Sequence, residues 1–325
     1  MARFYLEKDG NLAHLNRKTV AIIGYGNQGH AHALNLRDSG IDVIVGQRKG
    51  AGYRRAVRDG FKPVSVSDAA ERAGVIMMLV PDEVMADVYE ENVRPGLRKG
   101  KVLAFAHGFN IRYGRIVPPS GVDVIMVSPK GPGRHLRSEF VAGRGLASLV
   151  AVHQDASRKA LRIALAYAKA IGGMRACCIR TTFAEETEAD LFGEQAVLCG
   201  GTAALIKAGF ETLVEAGYQP EVAYFEVMHE MSLIVELLAE GGLTYMRRAV
   251  SNTAEFGDLT RGPRIISARV RQEMKKILGE IRSGKFAKEW IREATAAGRK
   301  FKALEKADEK LLLEQVGRRL RELMK

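Results

Sequence analysis

Short apolar runs recur through the first half of the chain, at Thr19–Gly24, Asp42–Val45, Val75–Val80, Val102–Ala106, Val122–Val127 and Leu146–Val152. Several lack polar alternation, the pattern of strands buried on both faces of a parallel sheet. Between them Gln28–Ser39, Ser67–Arg72 and Pro81–Glu91 have helical character. This alternation predicts an α/β doubly wound sheet. A longer helix over Asp155–Ile171 and a last strand over Met174–Ile179 are expected to close it. After Thr182 the strand pattern disappears. Phe183–Phe210, Pro220–Ala239 and Arg264–Arg282 carry apolar residues at helical spacing, with breaks at Gly217, Gly241–Gly242 and Gly284. The expected organisation is therefore a sheet domain over 1–181 followed by an all-helical domain over 182–325.

Length and composition agree with two globular domains. The chain has 325 residues, 46% hydrophobic and 27% charged, against about 150 residues per domain. These proportions leave disorder, collagen and coiled coil aside. No apolar run is expected to reach the roughly 18 residues of a membrane span. Met1–Asn11 is charged and shows no export signal. Cys177, Cys178 and Cys199 do not make a disulfide framework, so a reducing, cytoplasmic setting is expected.

Charge changes the picture more. The net charge is +12, which by itself suggests a polyanionic partner. Its distribution says otherwise: +13 over 1–181, −11 over 182–260 and +10 over 261–325. A middle block this acidic is a poor nucleic-acid surface and suits cations. Within the basic tail, the part from Lys285 is expected to be a charged amphipathic helix with a solvated face.

Gly24-Tyr25-Gly26-Asn27-Gln28-Gly29 matches G-x-G-x-x-G. It directly follows the run Thr19–Ile23 and opens a helix, the context of a dinucleotide-binding turn in a Rossmann-type sheet. Gly24 would permit the tight turn, Gly26 the approach of a pyrophosphate, and Gly29 close helix–strand packing. The helix N-terminus faces the anion. NAD sites usually place an acid about 20 residues onward, for the ribose 2′-hydroxyl. Here Gln47-Arg48-Lys49-Gly50-Ala51-Gly52-Tyr53-Arg54-Arg55 has none. Arg48 is suited to a 2′-phosphate, so NADP is favoured.

Asp190 and Glu194 are four apart, as are Glu226 and Glu230. On helices each pair shares a face, at a cost of a few tenths of a kcal/mol per like-charge pair. Leu191, Phe192, Val227 and Met228 surround them, and between 182 and 246 the only Lys or Arg is Lys207. Carboxylates gathered without thiolates are hard ligands for Mg²⁺, and four could hold two ions. A solvated acidic face is the plainer alternative for either pair alone. His107 and Lys130 each follow a strand, at the edge where open α/β sheets bind ligands. Structural roles remain open for both. No Ser/His/Asp nucleophile arrangement is apparent, and the other histidines show no metal-ligand spacing.

These residues resemble ketol-acid reductoisomerase. The resemblance is carried by Gly24–Gly29, His107-Gly108-Phe109-Asn110, Pro129–Gly133, the block Thr182–Gln195, Glu221–Glu226 with Glu230, and Ser251–Glu255. It spans nearly the whole chain and fits the short form (class I). It implies conversion of 2-acetolactate or 2-aceto-2-hydroxybutanoate to a 2,3-dihydroxy acid, in valine and isoleucine biosynthesis. The implied cofactors are two Mg²⁺ ions and NADPH. Asp190, Glu194, Glu226 and Glu230 are implied as metal ligands, with Asp190 bridging. His107, Lys130 and Glu230 are implied as catalytic and Ser251 as a substrate contact. Tyr25, Asn27, Gln28, Arg48, Tyr53, Asp82 and Gly133 join the three fingerprint glycines as implied cofactor contacts. Family sites lie at the domain interface and use helices from two subunits, implying a homodimer or larger assembly, with no nucleic acid or membrane partner.

One departure concerns the cofactor. The family's loop carries Ser near positions 51 and 53, where this chain has Ala51 and Tyr53, so use of NADH as well as NADPH is expected. Two other classes fit parts of the sequence. A metal-free hydroxyacid dehydrogenase would work after exhaustive chelation. A basic nucleic-acid-binding protein would show steeply salt-dependent affinity.

Overall fold

The computed structural model describes residues 2–325. The chain divides into two units, Met1–Ala189 and Asp190–Lys325.

Eight strands form one sheet in the first unit: β1 (Phe4–Tyr5), β2 (Val20–Ile23), β3 (Val43–Gly46), β4 (Val75–Met78), β5 (Val102–Phe105), β6 (Asp123–Pro129), β7 (Ser148–Gln154) and β8 (Cys178–Arg180). Their order is β1-β8-β7-β6-β5-β4-β2-β3. β3, β2, β4, β5 and β6 run parallel, with Val20 beside both Val43 and Val75. β7 lies antiparallel to β6, and β1 antiparallel to β8. Eight helices of this unit are α1 (Asn27–Asp38), α2 (Ala51–Arg58), α3 (Val66–Arg72), α4 (Asp82–Val88), α5 (Phe109–Arg112), α6 (Gly133–Val141), α7 (Ala160–Ala170) and α8 (Gly173–Ala176).

The lack of polar alternation has a direct cause. Val20 and Ile22 enter the core on one face of the sheet, with Ala31, Leu36 and Ala164. Ala21 and Ile23 enter the core on the other, with Ala69, Ile76 and Met85. Every position of β2 is therefore apolar, as a strand covered on both faces requires. The last strand is shorter than the sequence pattern predicts. Met174 belongs to α8, and only Cys178–Arg180 pairs, with β7 and β1.

One buried polar pair sits beneath α1. His32 Nδ1 lies 3.0 Å from the Tyr167 hydroxyl, and burial pushes the His32 pKa down to about 3. Below pH 6.5 the unfolded chain binds a proton that folded His32 refuses. Stability from this group is therefore present above 6.5 and lost as pH falls toward 3. The expected slope reaches about 1.4 kcal/mol per pH unit. Urea unfolding at pH 7 and pH 5 should show a smaller loss in His32→Asn than in the parent chain. Equal losses would remove His32 as the cause.

The helix α9 (Phe183–Gly193) runs across the division between the units. It continues through a π turn at Glu194–Leu198 into α10 (Gly200–Glu215). α11 (Pro220–Tyr224) leads into another π turn at Phe225–His229, followed by α12 (Met231–Ala249), which bends at Gly242, φ 76°. α13 (Asn252–Ile265), α14 (Ala268–Arg282), α15 (Lys285–Thr295), α16 (Arg299–Asp308) and α17 (Leu312–Leu323) complete the chain. The tail from Lys285 is thus three helices, α15 to α17, rather than one. This unit's buried core is small: Phe210, Ala223, Tyr224, Leu313, Val316 and Leu320.

One expectation needs correction. The helical run Phe183–Glu215 is 33 residues long, and its most apolar 18-residue window has mean hydropathy 1.4, enough by length and composition to cross a membrane. Ala, Val, Leu and Cys raise the average although Glu194 and Lys207 interrupt the run. Almost none of that window is buried within the single chain.

Candidate active site

The fingerprint sits where the sequence places it, between β2 and α1. Gly24 has φ +97°, a conformation that favours glycine. A Cβ on Gly29 would overlap the Gly24 carbonyl oxygen, whereas a Cβ on Gly26 would meet nothing within 4 Å. The turn is thus closed on its protein side and open at Gly26, the shape an approaching pyrophosphate needs. α6 packs directly against this turn. A Cβ on Gly133 would overlap the Asn27 carbonyl, and Gln28 Nε2 donates to the Gly131 carbonyl at 3.0 Å. Gly133 and the fingerprint are therefore brought together, although 104 positions separate Gly133 from Gly29.

Arg48 is exposed in the loop after β3, and Tyr53 is half-buried in the first turns of α2. Asp82 opens α4, beyond the end of β4. Asn110 Nδ2 donates to its backbone oxygen at 3.1 Å and lies 3.5 Å from its carboxylate.

His107 and Lys130, at the ends of β5 and β6, converge on one carboxylate. Glu186 of α9 is 1% exposed. His107 Nδ1 lies 3.1 Å from Glu186 Oε2. The Lys130 ammonium donates to Glu186 Oε1 at 2.9 Å, and the Ser128 hydroxyl to the same oxygen at 2.8 Å. The Gly108 N–H donates to Oε2 at 3.0 Å. Burial pushes the carboxyl pKa up, but the hydrogen bond and charge of His107, with those of Lys130, outweigh it and hold Glu186 at about 2. A buried carboxylate is tolerated only with such partners. Beside it, Arg112 pairs with Glu188 at 2.7 Å.

Sequence reasoning quotes Glu186 within a motif but assigns it no role. A signal was present: 186, 190 and 194 continue the spacing of four that marks Asp190 and Glu194. Asp190 stands one turn beyond Glu186 on α9 and is half-buried. Glu194 opens the π turn Glu194–Leu198, and Glu226 lies in the π turn Phe225–His229. Such turns concentrate at functional sites. Glu194, Glu226 and Glu230 are exposed in the single chain. Among the described residues, no three of Asp190, Glu194, Glu226 and Glu230 bring ligand atoms within 4.8 Å of one another. Ser251 N-caps α13, its hydroxyl accepting from the Ala254 N–H at 3.2 Å.

Comparison with known proteins follows this division of roles. Residues 14–177 match the family described as acetohydroxy acid isomeroreductase, NADPH-binding domain. Residues 183–325 match ketol-acid reductoisomerase, C-terminal domain. An NADH-preferring ketol-acid reductoisomerase from an uncultured archaeon is 44% identical, with TM-score 0.97 over 99% of each chain. Two more distant structures share the fold alone. One is a semialdehyde dehydrogenase NAD-binding protein from Cupriavidus necator, 18% identical, TM-score 0.64, covering 82% of this chain and 99% of its own. The other is a pyrroline-5-carboxylate reductase from Coxiella burnetii, 15% identical, TM-score 0.53, covering 82% and 97%. With both halves matched and a full-length relative at that identity, the chain belongs to the ketol-acid reductoisomerase family, oxidoreductases of branched-chain amino acid biosynthesis.

Proposed function

We propose that this enzyme uses two Mg²⁺ ions and NAD(P)H to convert 2-acetolactate or 2-aceto-2-hydroxybutanoate to the 2,3-dihydroxy acid. Residues 1–181 serve the cofactor and 182–325 the metals, the substrate and dimerisation. The observation that carries the reading is the buried Glu186 carboxylate, which holds His107 and Lys130 at the sheet edge that also carries the fingerprint and Asp82. Open α/β sheets bind ligands at that edge.

The residues fit the groups assigned to them. The open space at Gly26, with α1 behind it, fits a pyrophosphate. Asp190, Glu194, Glu226 and Glu230 form an all-oxygen donor set suited to Mg²⁺. When bound, the ions supply Lewis acidity for the alkyl migration and the nicotinamide supplies a hydride. Glu186 fixes the His107 ring and the Lys130 ammonium before substrate arrives, so that neither must reorganise during the reaction. Ser251 contacts the substrate from the N-terminus of α13.

The second unit supports a homodimer or larger assembly. Its core is small, while Leu198, Leu233, Leu243, Phe256 and Ile265 are each more than half exposed. Apolar surface on this scale marks an interface. A second copy covering it supplies Glu226 and Glu230 to the Asp190 and Glu194 of its partner. The same covering accounts for the apolar run through α10 without a membrane, and the three free cysteines suit a cytoplasmic enzyme.

Arg48 favours the 2′-phosphate of NADPH, whereas Ala51 offers no hydroxyl to it. The NADH preference of the archaeal relative supports use of both cofactors. Turnover of 2-acetolactate with Mg²⁺ should proceed with either and stop with EDTA. Turnover of 2-acetolactate in EDTA would overturn the metal assignment, whereas reduction of only a preformed keto acid in EDTA would favour a metal-free dehydrogenase. Arg48→Ala should raise the KM for NADPH about tenfold, since a charge-assisted contact of roughly 1.4 kcal/mol is lost, and leave NADH nearly unchanged. Equal effects would show that Arg48 does not read the 2′ position.

A further inference from the structure

One side chain joins the fingerprint turn to the loop after β3. Gln47 occupies the place, about 20 residues past the fingerprint, where a dinucleotide site carries its ribose-binding acid. Its amide turns inward. Oε1 accepts the Tyr25 N–H at 2.7 Å, and Nε2 donates to the Arg48 carbonyl at 3.2 Å. Its own N–H donates to the Val64 carbonyl at 3.0 Å, which anchors the start of the loop. The packing is close. A Cβ on Gly52 would come within 3.2 Å of the Gln47 amide and 3.1 Å of the Tyr25 carbonyl.

Tyr25 reaches the other end of α2 as well. Its hydroxyl donates to Asp59 Oδ2 at 2.9 Å, and Asp59 is the C-cap of α2. The second residue of the fingerprint thus holds the helix that carries Tyr53 at both ends, through Gln47 at the near end and Asp59 at the far end.

We propose that Gln47 is a specificity-determining positioning residue for the cofactor, one that fixes loop 48–53 against the pyrophosphate turn while keeping negative charge away from the 2′ position. This rests on reading Gly24–Gly29 as the pyrophosphate turn. A carboxylate at 47 would accept from a 2′-hydroxyl and repel a 2′-phosphate. An amide has two donor hydrogens and two acceptor lone pairs. The inward contacts use one of each, leaving a neutral group compatible with either cofactor.

The test is fluorescence titration of the full-length protein with NADPH and with NADH, without substrate, for Gln47→Met and Gln47→Glu. Gln47→Met keeps the volume but loses both polar contacts. It should weaken both cofactors by about fivefold, the scale of one lost hydrogen bond, with their ratio preserved. Gln47→Glu restores an acceptor for the Tyr25 N–H. It should bind NADH within about twofold of the parent and NADPH at least about tenfold more weakly, the scale set by close like charges. A residue that only stabilised the fold would not separate the two cofactors. Parent-like binding of both by Gln47→Met, or an unchanged ratio in Gln47→Glu, would overturn the proposal. A parent protein that binds neither cofactor would overturn the reading of the turn instead.

Discussion

Asp190→Asn and Glu230→Gln are each expected to lower turnover of 2-acetolactate about a thousandfold, since loss of a ligand withdraws several kcal/mol of Lewis-acid stabilisation. Neither should disturb the fold, because Asp190 is half-buried and Glu230 exposed in the single chain. The informative experiment is the mixture. If a complete site takes Asp190 from one copy and Glu230 from another, a hybrid dimer contains one intact site and one doubly altered site. Refolding equal amounts together should then restore roughly a quarter of the parent activity, as random pairing of a symmetric dimer requires. No recovery, with hybrid dimers demonstrated, would place all four carboxylates within single subunits. Parent-like rates in either single variant would remove that residue from the metal set.

Glu186→Gln should have the next largest effect, and on two quantities at once. The amide keeps one acceptor oxygen, enough for the Gly108 N–H, while its NH₂ group takes the place of the oxygen that accepts from Ser128 and Lys130. His107 and Lys130 lose their shared anion. Removing one member of a buried charged cluster costs roughly 3 kcal/mol or more, visible as a lower urea midpoint. Turnover should fall about a hundredfold, the scale of a misplaced proton-transfer group. Glu186→Asp keeps the charge at shorter reach, so it should recover much of the stability and less of the activity. Parent-like stability and rate in Glu186→Gln would show that His107 and Lys130 do not depend on this carboxylate.

The parts legible in the sequence were those whose signal is local. Strand, glycine turn and helix follow one another between Thr19 and Ser39, so the fingerprint could be read with its geometry. The parallel strands were legible because burial on both faces removes polar residues from a contiguous run. The antiparallel turn of β7 against β6 was not, since strand direction leaves no mark on composition. Strand β1 is two residues long and carries no period. Glu186 was missed for a different reason. Its partners His107, Ser128 and Lys130 lie 56 to 79 positions away, and an acid inside an acidic block looks like any other until they meet. Gln47 was read only as the absence of an acid, because its inward hydrogen bonds depend on where Tyr25 lies.

The two π turns of the second unit have a consequence for helical phase. Each accommodates one residue more than an α-turn, and in an α-helix one residue is about 100° of rotation. Upstream of Glu194 the carboxylates at 186, 190 and 194 follow one face. Downstream, the apolar side chains of α10 follow a face set by the extra residue. A chain that lost one residue within Glu194–Leu198 would keep its composition, charge and hydropathy almost unchanged. Its acidic stripe would nevertheless be turned against the surface that a second copy is proposed to cover. The glycines at 200 and 201 preserve this offset, because a Cβ on either would overlap the carbonyl of Gln195 or Ala196. The proposed metal ligands and the proposed subunit contact can therefore change face independently on one continuous helix, within a single turn of backbone.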